Sequence, residues 1–217
     1  MAEIITVNGK IPIIDGKAIK PSGKWGEYGG IEFLSTGFEQ VKLHVKQIEY
    51  TVVPTGWNCT KIDITECETM DYQGLRGQKK VVDLGNNNVL TNITTFTGQG
   101  NYFYDCLALK KIHLPNITRL AVMRNAFTNC TSLEDVLLGS VGHTIDSSYF
   151  YNTTFTNDTQ PNLTITVYTT SEHVDALISA IRNSATNATI IIKASEDTTY
   201  GGETYLAGET ILTSTPT

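Results

Sequence analysis

Apolar residues recur along this chain in a pattern that is written out twice in register. Phe103-x-x-Cys106-x-x-Leu109-x-x-Ile112-x-Leu114 is followed, 24 positions later, by Phe127-x-x-Cys130-x-x-Leu133-x-x-Val136-x-Leu138. Shorter apolar-x-apolar pieces lie on either side. They are Val41-Lys42-Leu43, Ile62-Asp63-Ile64, Val82-Asp83-Leu84 and Ile165-Thr166-Val167, and with the two clear copies they are offset by 21, 20, 30, 24 and 29 residues. One strand per unit, joined by return segments of unequal length, accounts for that scatter: each unit stacks on the next to bury a shared core. Alternation along each strand turns the middle residue outward. The row Lys42, Asp63, Asp83, His113, Leu137 and Thr166 is therefore expected to form one continuous surface.

The ends read differently. Ile4-Ile5-Thr6-Val7 and Ile11-Pro12-Ile13-Ile14 flank Asn8-Gly9, a hairpin dipeptide, and a second turn is expected at Asp15-Gly16. Residues 20–30 are a loop by composition, with Trp25 and Tyr28 as anchors. After the last repeat, Thr169-Thr170-Ser171-Glu172 fits a capping box with Thr169 as N-cap, opening a helix to about Asn183. Its stripe of Val174, Leu177, Ile178 and Ile181 is expected to close the open end of the stack. A strand at Thr189-Ile190-Ile191-Ile192 and a hairpin around Gly201-Gly202 and Ala207-Gly208 follow. The expected organisation is residues 1–30 as hairpin and loop, 31–168 as repeats, and 169–217 as a cap. The fold class is mainly β: a leucine-rich-repeat-like β-solenoid with irregular return segments, one C-terminal capping helix and short terminal hairpins.

Composition narrows the function classes. Of 217 residues 18% are charged and the net charge is −6, without the basic stripe that a nucleic-acid partner demands. No apolar run is long enough for a membrane-spanning helix, and the N-terminus lacks the basic start and apolar core of a signal peptide, so export by that route is not expected. Cys59, Cys67, Cys106 and Cys130 form no C-x-x-C pair. Cys106 and Cys130 share one repeat position and are expected to be free core thiols, a ladder disulfide being the alternative.

Reactive constellations are not found. His44, His113, His143 and His173 have no second ligand at metal spacing. Asp63, Glu66, Glu68 and Asp71 lack the glycine-bearing calcium loop and are expected to be a solvated face. There is no G-x-S-x-G elbow and no phosphate loop. Neither catalytic residues nor cofactors are expected. A glycan-active enzyme, the remote alternative, would have only Asp63 and Asp83 for its carboxylate pair. Eight N-x-S/T sequons follow from a chain rich in Asn and Thr.

The pattern at 103–114 and 127–138 resembles the BspA-like leucine-rich repeats of bacterial surface proteins. That resemblance implies adhesion, with a protein or glycan on a host surface as partner. Residues 4–17, read as Ile4-Ile5-Thr6-Val7-Asn8-Gly9-Lys10 and onward to Lys17, resemble the start of tail, baseplate and head-fibre proteins in tailed phages of gut bacteria. This implies a virion surface protein docked through residues 1–30, with other virion proteins or a host surface molecule as partners. A homo-oligomer is left open. The alternative location is the bacterial cell surface.

Overall fold

The computed structural model describes residues 13–14, 17–18, 31–33, 39–48, 59–98, 100–117, 124–146 and 162–215. The expected hairpin at Asn8-Gly9 and the 20–30 loop lie outside them. In chain order the strands are β1 (Ile13–Ile14), β2 (Lys17–Ala18), β3 (Ile31–Phe33), β4 (Gln40–Leu43), β5 (Gln47–Ile48), β6 (Lys61–Asp63), β7 (Thr69–Met70), β8 (Thr95–Phe96), β9 (Lys111–Leu114), β10 (Asp135–Leu138) and β11 (Thr164–Thr169). Helix α1 (Val174–Arg182) comes next, then β12 (Thr189–Ala194), β13 (Thr198–Tyr200), β14 (Glu203–Tyr205) and β15 (Thr210–Ser214). The antiparallel β1–β2 pair flanks residues 15–16, where the second turn is expected.

The chain is a β-solenoid. One parallel ladder runs β9, β10, β11, β12, with Ile112, Val136, Ile165 and Ile190 in register and all buried. A second joins β4 to β6 through Val41 and Ile62. Three coils make a short return strand: β5, β7 and β8 stack in parallel with Ile48, Met70 and Phe96 inward. These return strands span two residues each, too few for alternation to reveal them in the sequence.

The period-three spacing of F-x-x-C-x-x-L comes from two consecutive β-turns. Cys106 N–H bonds to the Phe103 carbonyl at 3.1 Å and Leu109 N–H to the Cys106 carbonyl at 3.3 Å; Cys130 and Leu133 repeat both bonds. Each turn brings every third side chain back to the same side, so Phe, Cys and Leu all point into the core. The first turn needs a left-handed third residue, supplied by Asp105 (φ 62°) and Asn129 (φ 59°). Asn101 and Asn125, two residues before each Phe, are left-handed as well. Asn and Asp tolerate that conformation best among residues with a Cβ. The fuller repeat is thus Asn-x-Phe-x-(Asp/Asn)-Cys.

That fuller repeat exposes a third copy: Gln73-x-Leu75-x-Gly77-Gln78-x-x-Val81-x-x-Leu84. Gln73 and Gly77 are left-handed, and the N–H groups of Gln73, Leu75 and Gly77 bond to the carbonyls of Gly100, Tyr102 and Tyr104 in the next coil. The register of this coil therefore differs from the one expected from Val82-Asp83-Leu84. Asp83 pairs with Lys61, which puts Leu84 beside Ile62, and Val82 is 50% exposed where Ile62 is 0%. Val82 imitates an inward residue because it stands two places before a leucine. The true inward residues are Val81 and Leu84.

The 30-residue offset after this coil has a local cause. Residues 83–84 pair backward to 61–64, whereas Val89 and Leu90 pair forward to His113. Between them Asn86, Asn87 and Asn88, all with positive φ, make a left-handed turn. The side chain of Asn88 closes its base, accepting the Leu84 N–H at 2.6 Å and donating to the Val82 carbonyl at 3.0 Å. The insertion splits one rung without interrupting the core.

Two expectations at the C-terminal end are corrected. Thr169 is not an N-cap: it is the buried last residue of β11, and its hydroxyl donates to the Ile145 carbonyl at 2.7 Å. A 3₁₀ turn, Ser171–His173, leads into the helix instead. Nor is α1 a lid on the last coil. It connects two parallel neighbours, β11 and β12, so it is the return segment of one further coil, with Val174, Leu177 and Ile181 buried in the common core. The sheet edge beyond β12 is taken by antiparallel β15. A β13–β14 hairpin precedes it, turning at Gly201 (φ 61°) and Gly202 (φ 88°). That Gly-Gly turn is where the sequence puts it.

The four cysteines are free and buried. Cys106 Sγ donates to the Leu75 carbonyl at 3.2 Å and Cys130 Sγ to the Phe103 carbonyl at 3.0 Å, each reaching back one coil. Burial pushes the Cys59, Cys67 and Cys130 thiols up to about 12, and Cys106 well above its ordinary range. Thiolate is the nucleophile, so none of the four should react with a thiol reagent at pH 8 until denaturant is added. Each fold-induced preference is for the neutral thiol. The resulting stabilisation is therefore complete below the unfolded value near 9 and is lost as pH rises toward 12. An alkaline fall in unfolding temperature, beginning above pH 9, is the second readout.

Candidate binding face

The outward side of the sheet is built by the strand residues between core positions. Lys42 and Asp63 are register neighbours on β4 and β6. His113, Leu137 and Thr166 are register neighbours on β9, β10 and β11. Asp83 stands outside this row, one place earlier, beside Lys61. Its Oδ2 lies 3.0 Å from Lys61 Nζ, and its Oδ1 accepts the Gly85 N–H at 2.7 Å. The place next to Asp63 falls to Gly85, where a Cβ would meet Asp63 Oδ1 at 2.6 Å.

The structure adds residues that the repeat pattern did not single out. Val89 pairs with His113 at one end, and Ile191 of β12 pairs with Thr166 at the other. Ile191 could have been found by carrying the strand alternation one rung past Thr166. From Val89 the row runs through His113, Leu137 and Thr166 to Ile191, spanning roughly 19 Å at the usual strand separation, and Thr213 of β15 continues it beyond Ile191. Beside it run Lys111, Asp135, Thr164 and Thr189 in one line. On its other side Lys193 Nζ lies 5.8 Å from the Tyr168 ring centroid.

Charge on this face is largely spent between coils. Lys42 reaches Glu66 at 2.8 Å, Lys110 reaches Glu134 at 3.4 Å, Lys46 reaches Glu68, and His113 Nε2 lies 2.8 Å from Asp135 Oδ2. In each pair the basic residue is on the earlier coil and the acid on the later one. Such exposed pairs contribute little stability each, but they penalise a slipped register. The Lys42 ammonium, with His44 beside it, holds the Glu66 carboxyl below the usual carboxylate range.

The acidic run separates into individual structural roles. Asp63 Oδ1 accepts both the N–H and the hydroxyl of Thr65, at 3.0 and 2.7 Å. Asp71 Oδ1 accepts the Tyr72 N–H at 2.8 Å and the Thr97 hydroxyl at 2.7 Å. Glu66 and Glu68 are the ion-pair partners just described. Among the described residues no group of three or more His, Cys, Asp or Glu side chains is placed to hold a metal ion. No described helix is long and apolar enough to cross a membrane.

Three sequon asparagines are stacking devices. Asn92 Nδ2 donates to the Thr65 carbonyl (2.6 Å), Asn116 Nδ2 to the Thr91 carbonyl (2.9 Å) and Asn129 Nδ2 to Asp105 Oδ1 (2.8 Å), each binding the preceding coil. Ser140 does the same with the Pro115 carbonyl at 2.8 Å. This side-chain ladder, the double β-turn and the parallel rungs together define the repeat.

No curated protein and no solved structure matches the chain. Residues 77–173 match the family model described as the BspA type leucine rich repeat region, in six copies.

Proposed function

We propose that this chain is a non-enzymatic binding protein of a phage virion surface, using the outward row from Val89 to Ile191 to attach to the host or to a neighbouring virion protein. The observation that carries the binding reading is the pairing of Leu137 and Ile191 on either side of Thr166. Two aliphatic side chains stand partly exposed on a parallel sheet, beside a His113–Asp135 pair that is already made. Apolar residues within a polar rim are the usual composition of a protein contact. BspA-type repeats fit a surface or adhesion-type role. The virion location rests on the resemblance of residues 4–17. That same family match favours the second reading, a bacterial cell-surface adhesin.

Catalysis is not part of this reading. Asp63 and Asp83 each accept hydrogen bonds within their own turn, and Lys61 neutralises Asp83. A glycosidase instead needs one carboxylic acid and one free carboxylate facing a common substrate.

Two measurements test the proposal. Labelled protein should be retained on host cells or purified virions, and Leu137→Asp combined with Ile191→Asp should reduce retention by about tenfold or more while leaving circular dichroism unchanged. Equal retention of the variant would remove the row from consideration. Immunogold labelling places the protein: particles decorated on phage support the virion reading, and decoration of uninfected cell envelopes selects the adhesin.

A further inference from the structure

Four lysines of the described coils reach a carboxylate in the next coil: Lys42, Lys46, Lys61 and Lys110. Lys111 and Lys193 have no such carboxylate among the described residues, and at the turn of residues 76–80 three cations without one fall together. Arg76, Lys79 and Lys80 fall within five residues, Lys79 and Lys80 are exposed, and no described carboxylate forms an ion pair with any of the three. Register explains it. Gln78 occupies the place of Cys106 and Cys130, so Lys79 and Lys80 are followed, coil by coil, by Leu107 and Ala108 and then by Thr131 and Ser132. Arg76 is followed by Tyr104, and its guanidinium lies 4.9 Å from the Tyr104 ring centroid. The adjacent carboxylate, Asp105, accepts a hydrogen bond from Asn129.

We propose that this basic corner docks a short acidic segment of a partner protein. Stacking on Tyr104 fixes the Arg76 guanidinium by one face and leaves its N–H edge to grip a carboxylate in a planar fork. Lys79 and Lys80 supply two mobile ammonium groups beside it. The size of the patch selects the partner class. All three cations belong to one coil, whereas nucleic acid and other long polyanions need a stripe of cations along the binding surface. In a chain of net charge −6, three cations set against the single carboxylate of Asp105 leave a local positive surplus that steers an acidic partner to this corner. The corner lies on the turns, not on the strand row, so either surface can fail without the other.

The test uses the full chain and fluorescently labelled hexaglutamate, read by polarisation at low and moderate salt. Lys79→Glu with Lys80→Glu is expected to weaken binding by about tenfold, and Arg76→Lys by about threefold, because the charge stays while the fork and the stack are lost. Lys193→Glu, which changes net charge equally per residue on the strand face, should leave affinity unchanged. No binding of the unaltered protein, an equal loss in the Lys193→Glu control, or a heparin fragment that binds tighter than hexaglutamate would each overturn the proposal. Self-association at low salt that disappears in the double variant would support it, with an acidic segment of a second copy as the partner.

Discussion

Gly100→Ala is expected to lower the unfolding free energy by about 3–5 kcal/mol, the sum of an overpacked contact and a left-handed alanine. Gly100 has φ 101°, and a Cβ there would lie 2.1 Å from the Arg124 carbonyl oxygen and 2.9 Å from its carbonyl carbon. The obstacle is backbone, so no side-chain rotation relieves it. That same carbonyl accepts the Asn101 N–H at 2.8 Å, the first of three bonds, with Phe103 to Ala126 and Asp105 to Thr128, that zip this coil to the next. Parting the chains to admit a methyl group strains all three. Gly142→Ala is the control: Gly142 has φ 80°, but a Cβ there meets nothing within 4 Å. Conformational strain alone should cost it about 1 kcal/mol. Denaturant midpoints of the two variants separate packing from strain, and similar midpoints would show that the coils at Gly100 can yield.

The sequence shows the solenoid where its repeat is chemically uniform and hides it where one residue type stands in for another. Phe103-Cys106-Leu109 and Phe127-Cys130-Leu133 are legible because large and small apolar residues occupy identical turn positions. Leu75-Gln78-Val81 does the same structural work, but a buried glutamine at the cysteine position breaks the apolar signal. Val82 then offers a false strand residue. The insertion at Asn86–Asn88 adds to the concealment, since it divides one rung between two neighbours. Left-handed turn positions would have resolved the register, but in this copy they are held by Gln73 and Gly77 where the legible copies have Asn or Asp, so only Gly77 carried a trace of that signal. The cap illustrates another limit. Alternation and helical periodicity identified β12 and α1 as elements, yet only the parallel pairing of β12 with β11 shows that they complete a coil. For the candidate face, outward orientation is a local property and was readable at His113, Leu137 and Thr166. Membership of one row depends on register and on which sheet a strand joins: Lys42 and Asp63 lie on the separate β3–β4–β6 sheet and Asp83 is shifted by one place, so these three drop out while Val89 and Ile191 enter.

Phe127→Ala should destabilise the protein by about 3–5 kcal/mol, and Phe127→Leu by only about 1. Phe103 and Phe127 are fully buried, and their rings stack with centroids 5.4 Å apart and planes 3° from parallel. Phe96 continues the aromatic column, 6.4 Å from Phe103 and 4.6 Å from Tyr102. Alanine at position 127 would open a cavity between two coils whose backbones are fixed by the turn ladder, so the walls cannot collapse to fill it. Leucine is tolerated for a reason visible two coils earlier: Leu75 already holds the equivalent place beneath Phe103. Truncating both phenylalanines should cost less than the sum of the single truncations, by about 1 kcal/mol, since the stacking interaction can be lost only once. Chemical denaturation of the two single variants and the double variant gives the coupling directly. Strict additivity would mean that each ring is held by its own coil, and that the aromatic column contributes area without linking the repeats.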